Sequence, residues 1–148
     1  MTITISTMQI GDYDAVYQLW LSCKGMGLND LDDSKQGIAR FLQRNPETCF
    51  VAKQHNKIVG VIIAGHDGRR GYIYHTAVHP EYRQQGIATT LTNSVLEAFH
   101  RLDIHKIALL VFHDNQVGNQ FWEKMGFTAR HDVVYRNQAI HKLVRIDT

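Results

Sequence analysis

The sequence His79-Pro80-Glu81-Tyr82-Arg83-Gln84-Gln85-Gly86-Ile87-Ala88 joins an apolar, aromatic run to an amphipathic one. This order predicts a strand, a glycine-containing turn and a helix. The turn presents several successive backbone N–H groups, and Gly86 lets the chain approach a ligand closely. The helix that follows adds the positive end of its dipole. The stretch therefore predicts an anion site, most simply for a pyrophosphate.

The chain on both sides of this turn alternates between strand and helix patterns. Period-2 alternation predicts a first strand, and turn residues at 54–56 predict a hairpin of two more. Apolar residues at spacings of three and four predict helices after Asp12, across 38–42, from 88 to 102 and from 116 to 125. Residues 25–33 show no period and predict a loop. The predicted strands are residues 2–6, 48–53, 57–65, 72–78, 106–112, 127–131 and 139–146.

Length and composition limit the class of protein. The 148 residues, 44% hydrophobic and 20% charged, predict a single globular domain over residues 1–148. A formal net charge of +2 is too small to indicate a nucleic-acid-binding protein. Without a signal-peptide pattern or an apolar run of roughly 20 residues, we expect a cytoplasmic protein with no membrane partner. Cys23 and Cys49 lack metal-ligand spacing and are expected to be buried free thiols.

The sequence Arg83-Gln84-Gln85-Gly86-Ile87-Ala88 resembles the acetyl-CoA-binding motif Gln/Arg-x-x-Gly-x-Gly/Ala of the GCN5-related N-acetyltransferase (GNAT) superfamily. A strand at 106–112 followed by Asn115, a helix and Gly126-Phe127 matches a second element of that family. The resemblance implies an α/β (α+β) fold with about four helices. Its central sheet would be mixed, mostly antiparallel and twisted, with six to seven strands that splay apart between the fourth (72–78) and the fifth (106–112).

The resemblance also implies acetyl-CoA as cosubstrate and no metal, with the pantetheine arm in the gap between the splayed strands. Arg83 is the side chain expected to carry charge to the CoA phosphates. Main-chain groups of Thr76 and Val78 match positions that meet the thioester, and Asn115 matches a family asparagine that can also cap its helix. The predicted cofactor-binding residues are Thr76, Val78, Arg83, Gln84, Gln85, Gly86, Ile87, Ala88, Thr89 and Asn115.

Two catalytic positions of related proteins differ in this chain. Trp122 stands where many relatives have a tyrosine that protonates the departing thiolate, and indole cannot act as a general acid near neutral pH. The glutamate that some relatives carry near the start of the fourth strand is absent. His75, Tyr72 and Tyr74 are the remaining candidates for proton transfer. His75 could act as the base, or Tyr72 or Tyr74 could relay a proton through water. Strand alternation predicts His75 on the face opposite Tyr72, Tyr74 and Thr76, where it would instead pack under the helices.

The loop between the first two helices carries Asp30, Asp32 and Asp33. In the resembling family this segment forms one wall of the acceptor site, so these acids would attract a cationic amine. They could equally belong to a solvated loop with a helix cap. By the same resemblance, the C-terminal region completes the acceptor site or forms the contact of a homodimer.

These observations predict an N-acetyltransferase that passes the acetyl group directly to the amine of a small molecule or peptide. Direct transfer is expected because neither cysteine falls in a predicted site segment. The residues His-Pro-Glu-Tyr-Arg at 79–83 also resemble the branch that includes ribosomal-protein-alanine acetyltransferases. The alternative is a non-catalytic acetyl-CoA sensor or protein-interaction module, which Trp122 and the missing glutamate favour.

Overall fold

A computed structural model describes residues 2–146, and its helices and strands follow the predicted order except in the predicted loop at 25–33 and after residue 126. Four α-helices and seven strands lie within these residues, together with short 3-10 turns at Ile10–Asp12 and Pro80–Tyr82. The elements are β1 (Thr4–Thr7), α1 (Tyr13–Leu21), β2 (Leu28–Asn29), α2 (Lys35–Arg44), β3 (Phe50–Gln54), β4 (Lys57–His66), β5 (Gly71–Val78), α3 (Ile87–Arg101), β6 (Ile107–Leu109), α4 (Gln116–Lys124) and β7 (Arg145–Ile146).

Five of the strands form one sheet in the order β1-β3-β4-β5-β6. All neighbours are antiparallel except β5 and β6, so the prediction of a mixed, mostly antiparallel sheet is confirmed. The predicted hairpin is also present: β3 and β4 are joined through His55 and Asn56, both with positive φ, as a tight hairpin turn requires. The main sheet nevertheless has five strands, because β2 and β7 pair only with each other.

The central strand β4 is buried along most of its length and carries one hydrophobic core on each face. On one face, α1 and α2 pack residues such as Trp20 and Ile38 against Val61. On the other, α3 packs residues such as Leu91 and Phe99. Cys23 and Cys49 are buried free thiols, as predicted.

A β-bulge between β4 and β5 changes which face the β5 side chains occupy. Ile62 pairs with Thr76 and Ala64 pairs with Ile73, so Tyr74 and His75 together oppose the single residue between the two pairs. The ring of His75 therefore contacts Trp20 of α1, and that of Tyr74 contacts Phe41 of α2. His75 thus shares the face of Tyr72 and Tyr74, and Thr76 takes the other face. The prediction from simple alternation is wrong at His75 because the extra residue breaks the period.

The predicted splay between the fourth and fifth strands of the sequence is present between β5 and β6. The two strands pair only at Gly71↔Ile107, Tyr72↔Ala108 and Ile73↔Leu109. Beyond Ile73, the edge of β5 has no β6 partner, and the strand predicted for residues 106–112 ends at Leu109. This unpaired edge leaves backbone groups free to meet a ligand.

The strands predicted at residues 127–131 and 139–146 are wrong except for Arg145–Ile146. After α4, Gly126 takes φ 94° and the N–H of Phe127 donates to the carbonyl of Trp122, a helix-ending motif that turns the chain. Residues 128–145 are exposed and join neither edge of the main sheet. Their end pairs with β2, in the segment that was predicted as a loop.

Candidate active site

The turn that precedes α3 presents a row of free backbone donors. Within residues 2–146, the N–H groups of residues 83–89 donate no hydrogen bond to another residue. Gln84 and Gly86 have φ of 61° and 78°, so the chain curves around these amides, and Gly86 lies at the helix N-terminus without a side-chain cap. Seven unpaired amides at the positive end of a 15-residue helix form an anion-binding surface.

The side chains of this turn differ in what they already bind. The hydroxyl of Thr90 donates to the carbonyl of Gly86, at 2.9 Å, whereas Thr89 is exposed. Nε of Arg83 donates to the carbonyl of Val78 at 3.2 Å, and Nη2 of the same guanidinium lies 3.5 Å from Sγ of Cys23. Cys23, a buried residue, therefore lies at the predicted site, so the expectation that neither cysteine would belong to the site is wrong for Cys23.

A cavity of about 2210 Å³ runs from this turn through the gap between β5 and β6. The cavity is lined by Thr76 and Val78 of β5, by Leu109 of β6, and by Asn115 and Trp122. The side chain of Asn115 accepts a hydrogen bond from the N–H of Gly118, so the predicted cap of α4 is confirmed. The cavity thus brings together the predicted cofactor-binding elements from both halves of the chain.

Trp122 is held by packing. Its ring lies 4.9 Å from that of Phe121 and 5.2 Å from that of Phe127, both edge to face. The indole is partly buried beside the core formed with α3. Trp122 also lines the cavity.

The opposite end of the cavity is aromatic. The rings of Tyr72 and Tyr74 lie 4.5 Å apart, and Phe41 meets Tyr74 edge to face at 5.6 Å. Partial burial, with smaller effects from Tyr135 and Tyr74, raises the pKa of Tyr72 to about 12. Burial, Asp32 and Tyr135 raise the pKa of Tyr74 as well. Both phenols are consequently uncharged near neutral pH and can donate hydrogen bonds.

His75 is fixed by groups from two other elements. Its Nε2 lies 2.7 Å from Oδ1 of Asp33, and its ring lies 5.1 Å from that of Trp20, edge to face. Asp33 is only 4% exposed, and its Oδ2 accepts the N–H of Asn29 at 2.8 Å. Neither the pairing with His75 nor the burial of Asp33 was predicted, because no sequence pattern links residues 42 positions apart.

The three acidic residues of the α1–α2 connection have separate environments. Asp33 binds His75, and Asp30 accepts the N–H of Val144, which ties down the C-terminal segment. Asp32 is exposed and accepts a hydrogen bond from the side chain of Asn29. None of them caps α2, since Ser34 accepts the N–H of Gly37. Of the three, Asp32 is the exposed carboxylate on the cavity wall.

The described residues contain neither a metal-binding cluster nor a membrane-spanning helix. No group of three or more His, Cys, Asp or Glu side chains in residues 2–146 is arranged to hold a metal ion. No helix in the same range is long and apolar enough to cross a membrane.

Comparison with known proteins places the fold among acetyltransferases. The model of the acetyltransferase (GNAT) family matches residues 13–127. An acetyltransferase of Pectobacterium atrosepticum is 34% identical over 116 residues, 78% of this chain and 81% of that protein.

Two solved structures have the same fold. One is the PaiA N-acetyltransferase of Thermoplasma acidophilum in complex with coenzyme A, with a TM-score of 0.77, 19% identity, and coverage of 88% of this chain and 92% of that one. The other is the ribosomal-protein-alanine N-acetyltransferase of Brucella melitensis, with a TM-score of 0.70, 20% identity, and coverage of 93% and 99%.

Proposed function

The chain belongs to the acetyltransferase (GNAT) family, and on that premise we propose that the cavity between β5 and β6 is its active site and the primary amine of a small molecule or peptide its acceptor. The protein is an acetyl-CoA-dependent N-acetyltransferase. The observation that supports this site is the row of free amides at residues 83–89, at the mouth of the only gap in the main sheet of residues 2–146. Reaction by direct transfer requires donor and acceptor to lie side by side, and a cavity of about 2210 Å³ has room for both.

For acetyl-CoA, we assign the pyrophosphate to the amides of residues 83–89. Arg83 would turn from Val78 toward a phosphate, and Thr89 would add its hydroxyl. The thioester would lie beside the free β5 edge at Thr76 and Val78, where a backbone N–H can stabilise the negative charge that forms on its oxygen. Asn115 would contact the arm from the other side of the gap. Gln84, Gly86, Ile87 and Ala88 of the predicted set also line the cavity, whereas Gln85 does not and would contribute only its backbone N–H.

For the acceptor, we assign the aromatic end of the cavity. The faces of Tyr72 and Tyr74 attract a cation, and the exposed carboxylate of Asp32 lies nearby. An ammonium group is therefore favoured there over a neutral or anionic group. The C-terminal segment reaches the same end through Tyr135, and its exposed apolar residues would also serve a homodimer contact.

Proton transfer is assigned to His75. A phenol with a pKa of about 12, as for Tyr72, holds its proton near neutral pH, so the two tyrosines are hydrogen-bond donors. A neutral imidazole has a nitrogen lone pair that can accept a proton. Trp122 offers only an N–H donor, so the departing thiolate takes a proton that the reaction itself releases.

The first experiment measures free thiol released from acetyl-CoA against a panel of amines, with acetyl-CoA binding followed by calorimetry in the same preparation. We expect thiol release with at least one class of cationic amine. Tight binding without thiol release across the panel would favour the alternative, a non-catalytic acetyl-CoA sensor.

The site itself is tested by Gly86→Glu, which adds a negative charge and a side chain at φ 78°. We expect the affinity for acetyl-CoA to fall by at least about 100-fold, because the added carboxylate repels the phosphates and breaks charge-assisted hydrogen bonds to them. Gly68→Glu is the matched control, because Gly68 also has positive φ and open surroundings but lies in the β4–β5 turn, outside the cavity. Unchanged affinity in the Gly86 variant would show that the site is assigned to the wrong turn.

A further inference from the structure

Asp33 has contacts that a residue at the start of a helix does not need. The cap of α2 is Ser34, and Asp33 lies one residue before it, 4% exposed. Its two carboxylate oxygens accept different hydrogen bonds, Oδ1 at 2.7 Å from His75 Nε2 and Oδ2 from the N–H of Asn29. The hydroxyl of Tyr13 binds its backbone carbonyl at 2.6 Å. The carboxylate is thus held in one orientation, with Oδ1 toward His75.

This contact determines the protonation of the imidazole ring. A carboxylate only accepts hydrogen bonds, so the nitrogen 2.7 Å away must carry the proton. Nε2 of His75 is therefore the N–H, and in the neutral ring Nδ1 holds the lone pair. A hydrogen bond made by one ring nitrogen sets the tautomer of a histidine and the direction in which the other nitrogen points.

Nδ1 of His75 is the free nitrogen of the ring, in a side chain that is 15% exposed. It has no hydrogen-bond partner in residues 2–146, and it is not among the buried polar atoms without a partner, which are Trp20 Nε1 and Thr76 Oγ1. His75 borders the cavity between Tyr74 and Thr76, and the edge-to-face contact with Trp20 limits rotation of the ring. The ring is therefore fixed in orientation, and the lone pair of Nδ1 is free to accept a proton at the end of the cavity that we assign to the acceptor.

We propose that Asp33 is a positioning residue, which holds His75 as the Nε2–H tautomer so that Nδ1 takes the proton of the acceptor ammonium. This inference rests on the proposed function of the cavity. The ammonium gives one proton to Nδ1, which later passes to solvent. As the nitrogen forms its bond to the acetyl carbon and the carbon–sulfur bond breaks, the second proton leaves the nitrogen and ends on the thiolate. The carboxylate of Asp33 stabilises the imidazolium while His75 carries the proton.

The first test reads the tautomer directly, without turnover. In ¹⁵N-labelled full-length protein, long-range ¹H–¹⁵N correlations distinguish the two nitrogens of His75, assigned by their loss in His75→Gln. We expect a protonated Nε2 and an unprotonated Nδ1 when the ring is neutral. The reverse pattern would overturn the inference and leave the proposed function of the cavity standing.

The second test is kinetic and uses Asp33→Asn. The carboxamide can donate to Nε2, which would move the ring proton to Nδ1 and remove the base from the cavity. We expect kcat to fall about 100-fold or more, the usual contribution of a general base, with acetyl-CoA affinity unchanged. Asp103→Asn is the matched control, since Asp103 is exposed at φ 59°, a conformation that asparagine also tolerates.

A double-mutant cycle separates positioning from a purely structural role. In a His75→Gln background, Asp33→Asn should lower kcat by less than about twofold, because residues that act as one unit are not additive. Equal losses in both backgrounds would overturn the inference. If Asp33→Asn does not fold, the tautomer of His75 measured in the wild-type protein decides whether the inference holds. Absence of turnover with every amine in the wild type would instead overturn the proposed function.

Discussion

Burial changes how two side chains titrate at high pH. Cys49 is fully buried, and burial raises the pKa of its thiol to about 12 against an ordinary value of 9.0, although hydrogen bonds with Ala64 and Thr48 lower it in part. Tyr72 shifts to about 12 from 10.0, mainly through burial. The fold favours the neutral form of each group. At a pH where the unfolded chain ionises these groups and the folded chain does not, the unfolded state gains free energy of ionisation and the protein becomes less stable.

The stability of the folded state should therefore fall as the pH rises from about 9 toward 12. Over this range the unfolded chain releases protons from its cysteine and tyrosine that the folded chain retains. Urea unfolding at several pH values measures this loss, and Cys49→Ala should reduce its slope. The same slope in the variant and the wild type would show that Cys49 does not carry the dependence.

The replacement of a tyrosine by Trp122 leads to a second prediction at the level of one residue. Trp122→Phe removes the indole N–H and keeps an aromatic ring between Phe121 and Phe127. Because indole is not a general acid, we expect kcat to stay within about threefold of the wild type, well below the 100-fold effect of a lost acid. The measurement is thiol release under saturating conditions.

The variant should also be less stable by about 1 kcal/mol, owing to the change in packed volume. A fall in kcat of about 100-fold with acetyl-CoA binding intact would mean that the indole N–H takes part in the transition state.

The N-terminus of α4 combines two roles in one element. Asn115 caps the helix through Gly118, and it lines the gap in which we assign the pantetheine arm. A cap and a ligand contact can be separated, because serine caps a helix about as well as asparagine but has a shorter side chain with no amide.

Asn115→Ala should lower the free energy of unfolding by about 1 kcal/mol, and Asn115→Ser should restore it. If Asn115 also binds the cosubstrate, the serine variant keeps its stability but binds acetyl-CoA roughly 2- to 10-fold more weakly, the value of one hydrogen bond. Calorimetry and urea unfolding measure the two effects. Wild-type affinity in the serine variant would reduce Asn115 to a helix cap.

At the scale of the whole molecule, β4 connects two hydrophobic cores. Val61 belongs to the core with α1 and α2, and Ile62, the next residue, belongs to the core with α3. Because alternate residues of one strand belong to both cores, loss of either core should remove the packing that supports the other. This arrangement predicts that the chain unfolds as a single unit.

Leu19→Ala on α1 and Leu91→Ala on α3 test this prediction. Both side chains are buried, so each change should cost about 2–5 kcal/mol of unfolding free energy. Both should shift one common unfolding transition, followed by circular dichroism and by tryptophan fluorescence. Two separate transitions, or one that moves for one variant only, would contradict the single-unit prediction.

Local patterns in the sequence determined the four helices, the strands of the main sheet, the turn at 83–88, the hairpin at 54–56 and the cap at Asn115. Each depends on residues a few positions apart, whose side chains and backbone interact directly whatever the rest of the chain does. The splay between β5 and β6 was predicted from the family resemblance of the turn motif, and in the structure the two strands separate beyond Ile73.

Tertiary structure alone decided the face of His75, its pairing with Asp33 and the course of the C-terminal segment. A single extra residue in β5 moves His75 to the face of Tyr72 and Tyr74, because side chains in a strand alternate with a period of exactly two residues. Asp33 reaches that face only because α1 and α2 pack on it. Residues 128–144 include segments predicted as strands but pair with neither edge of the main sheet, and a strand forms only where another strand supplies hydrogen bonds.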